Sequence, residues 1–198
     1  MATPYNVERV IPGDGWVYVA PVDTAPPTAD AIQDMDLVNP SAVAPEWSWI
    51  GDTSYETPIE FEQDGGDTTT KRTWARRNVR VIRDARTNSM TIASVNLHAD
   101  LMALAFPGGE DDPANGIYRV FNNGQTSQRA VLIVWQDGNR RGGMHFANVD
   151  LVGSFPSFDH EEFMEVPLGG AILSSEATPG YEWGVITKRG VVPVDPTP

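Results

Sequence analysis

The sequence contains no cysteine. No disulfide framework or thiolate metal site can be built from it, which suits folding in a reducing cytoplasm. Positive charge is scarce as well. Against 27 Asp and Glu stand 14 Lys and Arg, for a formal net charge of −13. So acidic a chain is poorly suited to gripping a nucleic-acid backbone, because that affinity comes mainly from neutralising phosphates. No apolar run approaches the roughly 18 residues of a membrane span, and the first residues lack the apolar stretch of a secretory leader. Catalytic signatures are missing too: neither Gly-x-Ser-x-Gly nor Gly-x-x-x-x-Gly-Lys occurs. No internal repeat is evident.

Histidine is limited to His98, His145 and His160, far apart in the chain. His98 and Asp100 lie two apart on a predicted helix and do not share a face, as i, i+4 ligands would. The run Asp159-His160-Glu161-Glu162 at a strand entry reads as solvated rather than as a cation site. Glu110-Asp111-Asp112 offers oxygens for calcium but no recognisable loop pattern. Glu60 and Glu62 could flank a glycosidic bond, yet they alternate on a strand with no sign of a pocket. The expectation is no metal, no cofactor and no enzyme.

What is present favours β structure. A 40% apolar fraction is enough for a core, and 18 Gly with 16 Pro favour many turns. At 198 residues one domain with sizeable arms is expected. The arms fall at about 1–13 and 176–198, with an irregular Pro-rich connection at 21–45 that has room for one helical turn at 29–36. Alternation predicts strands at 15–20, 59–63, 90–95, 116–121, 144–152, 162–168 and 171–173, and a last one within 181–187. Ala130 to Trp135 is apolar on both faces, the mark of a central strand. Leu97, Leu101, Leu104 and Ala105 form one face of a helix over 97–106, with Asn96 as its N-cap and Pro107-Gly108-Gly109 as its stop.

Charge is unevenly placed. Residues 1–70 carry thirteen acids and one base, residues 71–86 carry seven bases and only Asp84, and the remainder is acidic again. Taking Gly65-Gly66 as a two-residue turn sets Glu60 opposite Lys71 and Ile59 opposite Arg72. In that register the hairpin does not neutralise its own arginines by direct cross-strand pairs. Three readings of this basic arm remain: a solvated surface, contact with the acidic surface of another copy, or contact with nucleic acid. Trp74, set among charges, is poorly placed for burial within its own chain, and Trp with Arg is what interface centres favour.

In order and pattern, WSWIGDTSYETPIEFEQDGG, the Arg-rich return arm and NSMTIASVNLHADLMALAFPGG resemble the major tail protein, or tail tube subunit, of long-tailed phages. The resemblance implies a mainly β fold of two roughly orthogonal antiparallel sheets flanked by a short helix. It also implies six copies per ring, with rings stacked into a tube. By resemblance Gln63 to Asn78 is the stacking loop, so Asp64, Asp67, Lys71, Arg72, Trp74, Arg76, Arg77 and Arg80 are expected at the contact between rings. Glu60 and Glu62 are candidates to line the bore, where negative charge repels the DNA backbone, or equally to meet the arginines of an adjacent ring. Implied partners are further copies, a tape-measure protein and tail-terminator or baseplate proteins. DNA passes without specific binding, no membrane is involved, and the location is the virion tail after assembly in the host cytoplasm. A bacterial secretion tube protein and a β-sandwich decoration module on a capsid are the competing readings.

Overall fold

The computed structural model describes residues 10–71, 73–74, 80–121, 124–158, 160–161, 163–176 and 181–187. In chain order the elements are β1 (Asp14–Ala20), α1 (Ala29–Asp34), a 3-10 turn (Pro40–Ala42), β2 (Ser48–Trp49), β3 (Glu60–Gly65), β4 (Thr68–Lys71), β5 (Arg80–Arg83) and β6 (Arg86–Ser94). They continue with α2 (Ala99–Ala105), β7 (Glu110–Asp112), β8 (Ile117–Arg119), β9 (Ser127–Asp137), β10 (Arg140–Gly153), β11 (Val166–Ile172) and β12 (Trp183–Ile186). The architecture is mainly β with short helices, as the sequence implies.

Eight strands form one antiparallel sheet in the order β2-β1-β9-β10-β11-β6-β3, with β12 also paired to β10. The doubly apolar segment lies within β9, near the middle of this order. Val131 and Ile133 enter one hydrophobic cluster while Ala130, Leu132 and Val134 enter a second on the opposite face. β1 divides likewise, with Val17 in the first cluster and Tyr18 and Ala20 in the second. Burying a side chain such as Leu132 or Val131 contributes about 1.5–3 kcal/mol, so both faces of β9 matter.

A bulge gives the sheet its shape. The β9–β10 register shifts between Phe146 and Val149. On the other edge of β10, β12 takes Gly143 to Phe146 and β11 takes Val149 to Gly153. The sheet divides there, and its β11-β6-β3 limb curls back over β10. Phe61 on β3 and Phe146 on β10 stack with ring centroids 5.5 Å apart, although three strand steps separate them. A flat sheet would hold them roughly 14 Å apart. The two layers implied by the resemblance are thus limbs of one sheet joined through β10. The curl leaves it an open sheet: among the described residues β2, β3 and β12 each have one partner strand.

The helix differs in its start. His98, not Asn96, is the N-cap of α2: its Nδ1 accepts from the Leu101 N–H at 3.1 Å. That bond leaves Nε2–H to donate to the Ile50 carbonyl at 3.2 Å. Leu101, Leu104 and Ala105 are buried as the periodicity requires, while Leu97 precedes the helix and is exposed. Gly153 lets α2 approach closely, since a Cβ there would sit 2.6 Å from the Ala105 Cβ.

The Pro-rich connection is structured. Thr28 caps α1 through its hydroxyl, and Ile32, Met35, Leu37 and Trp47 close the second cluster. Arg141 holds this strap in place. Its Nη1 donates to the Met35 carbonyl at 2.7 Å and to the Gln33 carbonyl at 3.3 Å, and its Nε donates to Gln136 Oε1 at 3.0 Å. Tyr18 adds a 2.6 Å bond to the Leu37 carbonyl, and burial pushes its phenol pKa well up.

Candidate assembly interface: a projecting ribbon

The predicted hairpin turn at Gly65-Gly66 is not where the chain turns. β3 pairs with β6, from Glu60 opposite Thr91 to Gly65 opposite Arg86. β4 then pairs with β5, from Thr68 opposite Arg83 to Lys71 opposite Arg80. Both arms advance three residues between these ladders, so the register carries across the gap. Gly66 N–H to Ala85 O at 3.3 Å and Asp84 N–H to Asp67 O at 3.0 Å bridge it. The result is one long ribbon whose described arms stay in register from Glu60 opposite Thr91 to Lys71 opposite Arg80. Gly65 and Gly66 both take φ of +80°, a left-handed conformation that glycine adopts without a Cβ penalty. That geometry lets them pass through the ladder as an irregularity instead of ending it.

Beyond Asn88 the ribbon has no third strand among the described residues, because β11 ends opposite that residue at Ile172. From Arg86 to Arg80 it runs about 20 Å past the sheet, at roughly 3.3 Å per residue. Every described residue of β3, β4 and β5 is exposed.

The register corrects the predicted cross-strand partners. Glu60 and Glu62 face Thr91 and Ser89, not the basic arm. Lys71 lies opposite Arg80, and its predicted partner Glu60 is far down the ribbon. Like charges directly opposite are destabilising, and the ribbon carries this juxtaposition near its tip. Lys71, Arg80, Arg83 and Arg86 make no ion pair with a described residue. The inference that the hairpin does not neutralise its own arginines therefore holds for Arg80, Arg83 and Arg86, on a different register from the predicted one, while the predicted Glu60 partner of Lys71 is replaced by Arg80. Asp64 is turned inward on its own backbone, its Oδ1 accepting from Gly65 N–H at 2.7 Å. Asp67 sits beside the gap, its carbonyl engaged with Asp84. Trp74 is fully exposed. Arg72, Arg76 and Arg77 lie outside the described residues.

At the base of the ribbon the register also assembles an acidic row that sequence reading missed. Glu62 lies beside Ser89, Ser89 beside Ala171, Ala171 beside Asp150, and Asp150 beside Gln128. A parallel row runs Glu60, Thr91, Gly169, Val152. Asp150 joins the two predicted glutamates only through strand order. Neither row contains a base.

Two of the other polar candidates, Asp112 and His145, have structural partners. Asp112 pairs with Arg119 at 2.7 Å, and hydrogen bonds from Asn115 and then Arg119 hold its carboxyl below the usual range. His145 is buried: its Nε2–H donates to the Thr24 carbonyl at 3.0 Å and its Nδ1 accepts from the Tyr181 hydroxyl at 2.6 Å. Burial lowers its pKa, so it is neutral at pH 7. Of the Asp159–Glu162 run, His160 and Glu161 are exposed, and Asp159 and Glu162 lie outside the described residues. No described helix is long and apolar enough to cross a membrane.

Sequence reading also missed a group of bare aromatics. Tyr55, Phe155, Phe158 and Phe163 are 92%, 93%, 85% and 81% exposed. The signal was there in FPSFDHEEF, three phenylalanines interleaved with acids and therefore without strand or helix period.

A family model described as phage tail tube protein matches residues 2–189 of this chain. The major tail protein Gp23 of Mycobacterium phage D29 is 33% identical over 133 residues, covering 66% of this chain and 67% of that protein. Major tail protein Gp23 of Mycobacterium phage L5 is 34% identical over 137 residues, with the same coverage of each.

Proposed function

The chain belongs to the phage tail tube protein family, and from that premise we propose that six copies close into a ring and that rings stack through the ribbon into the conduit for DNA ejection. Its role is structural: it is a virion protein, a subunit of the tail tube that assembles with copies of itself and with other tail components. This assignment takes precedence over a secretion tube protein or a capsid decoration module.

The observation that carries the stacking role is the ribbon itself. A strand pair extending about 20 Å past its sheet buries no face of its own, and its described cations make no ion pair with a described residue. Such a segment is completed by a neighbour. Asp64, Asp67, Lys71, Arg72, Trp74, Arg76, Arg77 and Arg80 are assigned to that contact. Within a ring, the unpaired edge of β3 joins a strand edge of the adjacent copy. Its acids and its place at the base of the ribbon keep single subunits from pairing indiscriminately. The rows containing Glu60, Glu62 and Asp150 face the bore, where they repel the DNA backbone over roughly 8 Å at physiological salt. The tape-measure, tail-terminator and baseplate proteins meet the tube inside and at its ends.

Negative-stain microscopy of the purified chain, with and without a tape-measure partner, tests the assembly. Tubes or stacked rings are expected, and monomers under every condition would refute it. Lys71→Glu together with Arg80→Glu tests the ribbon. The pair keeps its mutual repulsion while its sign toward a neighbour reverses, so the monomer should melt unchanged and stacking should stop. Normal tubes from this variant would end the role given to the ribbon.

A further inference from the structure

The bare aromatics stand at the end of the sheet opposite the ribbon. The ribbon leaves β6 beyond Arg86. At the other end of β6, Ser94 bridges Thr53, and Val95 N–H donates to the Asp52 carbonyl at 3.0 Å. β11 begins there at Val166 and β10 ends there at Gly153, which places Phe163 and Phe155 at that same end. Eight residue steps along β6, from Arg86 to Ser94, separate the two ends, about 27 Å of strand.

Between the 52–56 segment and the approach to β11 lies a cleft of about 610 Å3. Tyr55 and Phe163 supply its aromatic walls, and Asp52, Glu56, Glu161 and Glu165 are its charged residues, with no base among those lining it. Thr57 Oγ1 donates to Glu165 Oε2 at 2.9 Å and ties the two walls together. The ribbon has the opposite composition. From Thr68 to Arg83 the sequence holds six bases and no acid, with Trp74 fully exposed.

We propose that this cleft is the seat for the ribbon tip of a second copy, with Trp74 entering between Tyr55 and Phe163 and the tip cations meeting the cleft carboxylates. Charge complementarity selects the occupant. The carboxylates disfavour an acidic partner, and this chain carries a cationic, aromatic-tipped projection of matching character at its far end. An indole that buries its 150–250 Å2 in a pocket is a strong anchor, and aromatic and Arg anchors dominate interface energetics. Because seat and projection are different patches at opposite ends, the contact is head-to-tail and repeats without closing, which is how a filament grows. The inference rests on the stacking role of the ribbon and adds the surface that receives it.

The test uses two variants that each lack one half of the contact. The cleft variant carries Tyr55→Ser, Phe163→Ser and Glu56→Lys, all at exposed positions. The ribbon variant carries Lys71→Glu and Arg80→Glu. Each, purified separately and melting like the parent, should form no tubes. Mixed, they should give stacks of two layers and no more, because the cleft variant still offers a ribbon and the ribbon variant still offers a cleft. A second measurement exploits the absence of cysteine. Trp74→Cys and Phe163→Cys chains, mixed and oxidised, should yield a disulfide-linked heterodimer that the ribbon variant's two charge reversals abolish. Tubes of normal length from the cleft variant would overturn this inference while leaving the ribbon's role intact, and would assign the cleft to another tail component. Tubes from the ribbon variant would instead overturn the stacking role. A mixture that forms no two-layer stacks, or the absence of the 74–163 crosslink, would show that the tip docks elsewhere.

Discussion

Arg141→Met should release the strap over 29–47 and lower the stability of the whole subunit by about 2 kcal/mol. The guanidinium makes one short bond to the Met35 carbonyl at 2.7 Å, one ordinary bond to Gln136 Oε1 at 3.0 Å and a long one to the Gln33 carbonyl at 3.3 Å. All three are charge-assisted because the guanidinium is the donor; the short one contributes about 1.5–3 kcal/mol and the two longer, partly solvated ones about 1 kcal/mol between them. About 1–2 kcal/mol returns as side-chain freedom. Methionine keeps the length of the stem, so the difference isolates the guanidinium. In a chain of this size about 2 kcal/mol corresponds to roughly 4–8 °C in Tm. Thermal and urea melts followed by Trp fluorescence give the number. Tyr18→Phe removes the other bond into this strap, to Leu37 at 2.6 Å. Once either anchor is gone the second has less to hold, so the double variant should cost at least about 0.5 kcal/mol less than the two singles together. A loss below about 0.5 kcal/mol for Arg141→Met, or strict additivity with Tyr18→Phe, would show that apolar packing alone holds the strap.

Two further outcomes follow from the interior. Gly153→Ala places a Cβ 2.6 Å from the Ala105 Cβ and 2.9 Å from the Ala105 carbonyl oxygen, so α2 must shift at a cost of about 1–3 kcal/mol. Gly169→Ala, whose nearest such contact is 3.8 Å, should melt within about 1 °C of the parent, and equal losses at both sites would refute the packing argument. His145 has its pKa lowered by burial, so the unfolded chain takes up a proton that the folded one refuses. Its contribution is complete above the ordinary pKa of 6.5 and declines as pH falls from there toward the depressed folded value. Melts at pH 7.5 and 5.0 should therefore differ more for the parent than for His145→Asn, and an identical difference would remove His145 as the cause.

The secondary structure along β1, β9 and the apolar face of α2 was legible because burial imposes a period that survives in the residues. Leu101, Leu104 and Ala105 need only their spacing to be read as one face. Leu97 misled because an apolar residue just before a helix continues the same spacing. His98 won the cap by accepting from Leu101 N–H and by tying Ile50 to the helix, an anchor that only the fold supplies. The turn misled for a related reason. Gly65-Gly66 satisfies the chemistry of a tight turn, yet the 80–91 arm finds more partners in register with 60–71. The phenylalanines of the 154–165 segment went unread, since a residue that is bare in the subunit leaves no periodic trace.

Local chemistry along the chain determined the acidic character, the lack of thiol chemistry, the central strand, the helix face and a basic arm unable to neutralise itself. Those properties belong to residues and their immediate neighbours, and neighbours are what a sequence records. Tertiary structure alone decided that the arm is a ribbon pairing 60–71 with 80–91, that Asp150 joins Glu60 and Glu62 on one face, and that cations and aromatics occupy opposite ends of β6. Each of these depends on strand order and register, which bring together residues tens of positions apart. No local preference encodes such a distance.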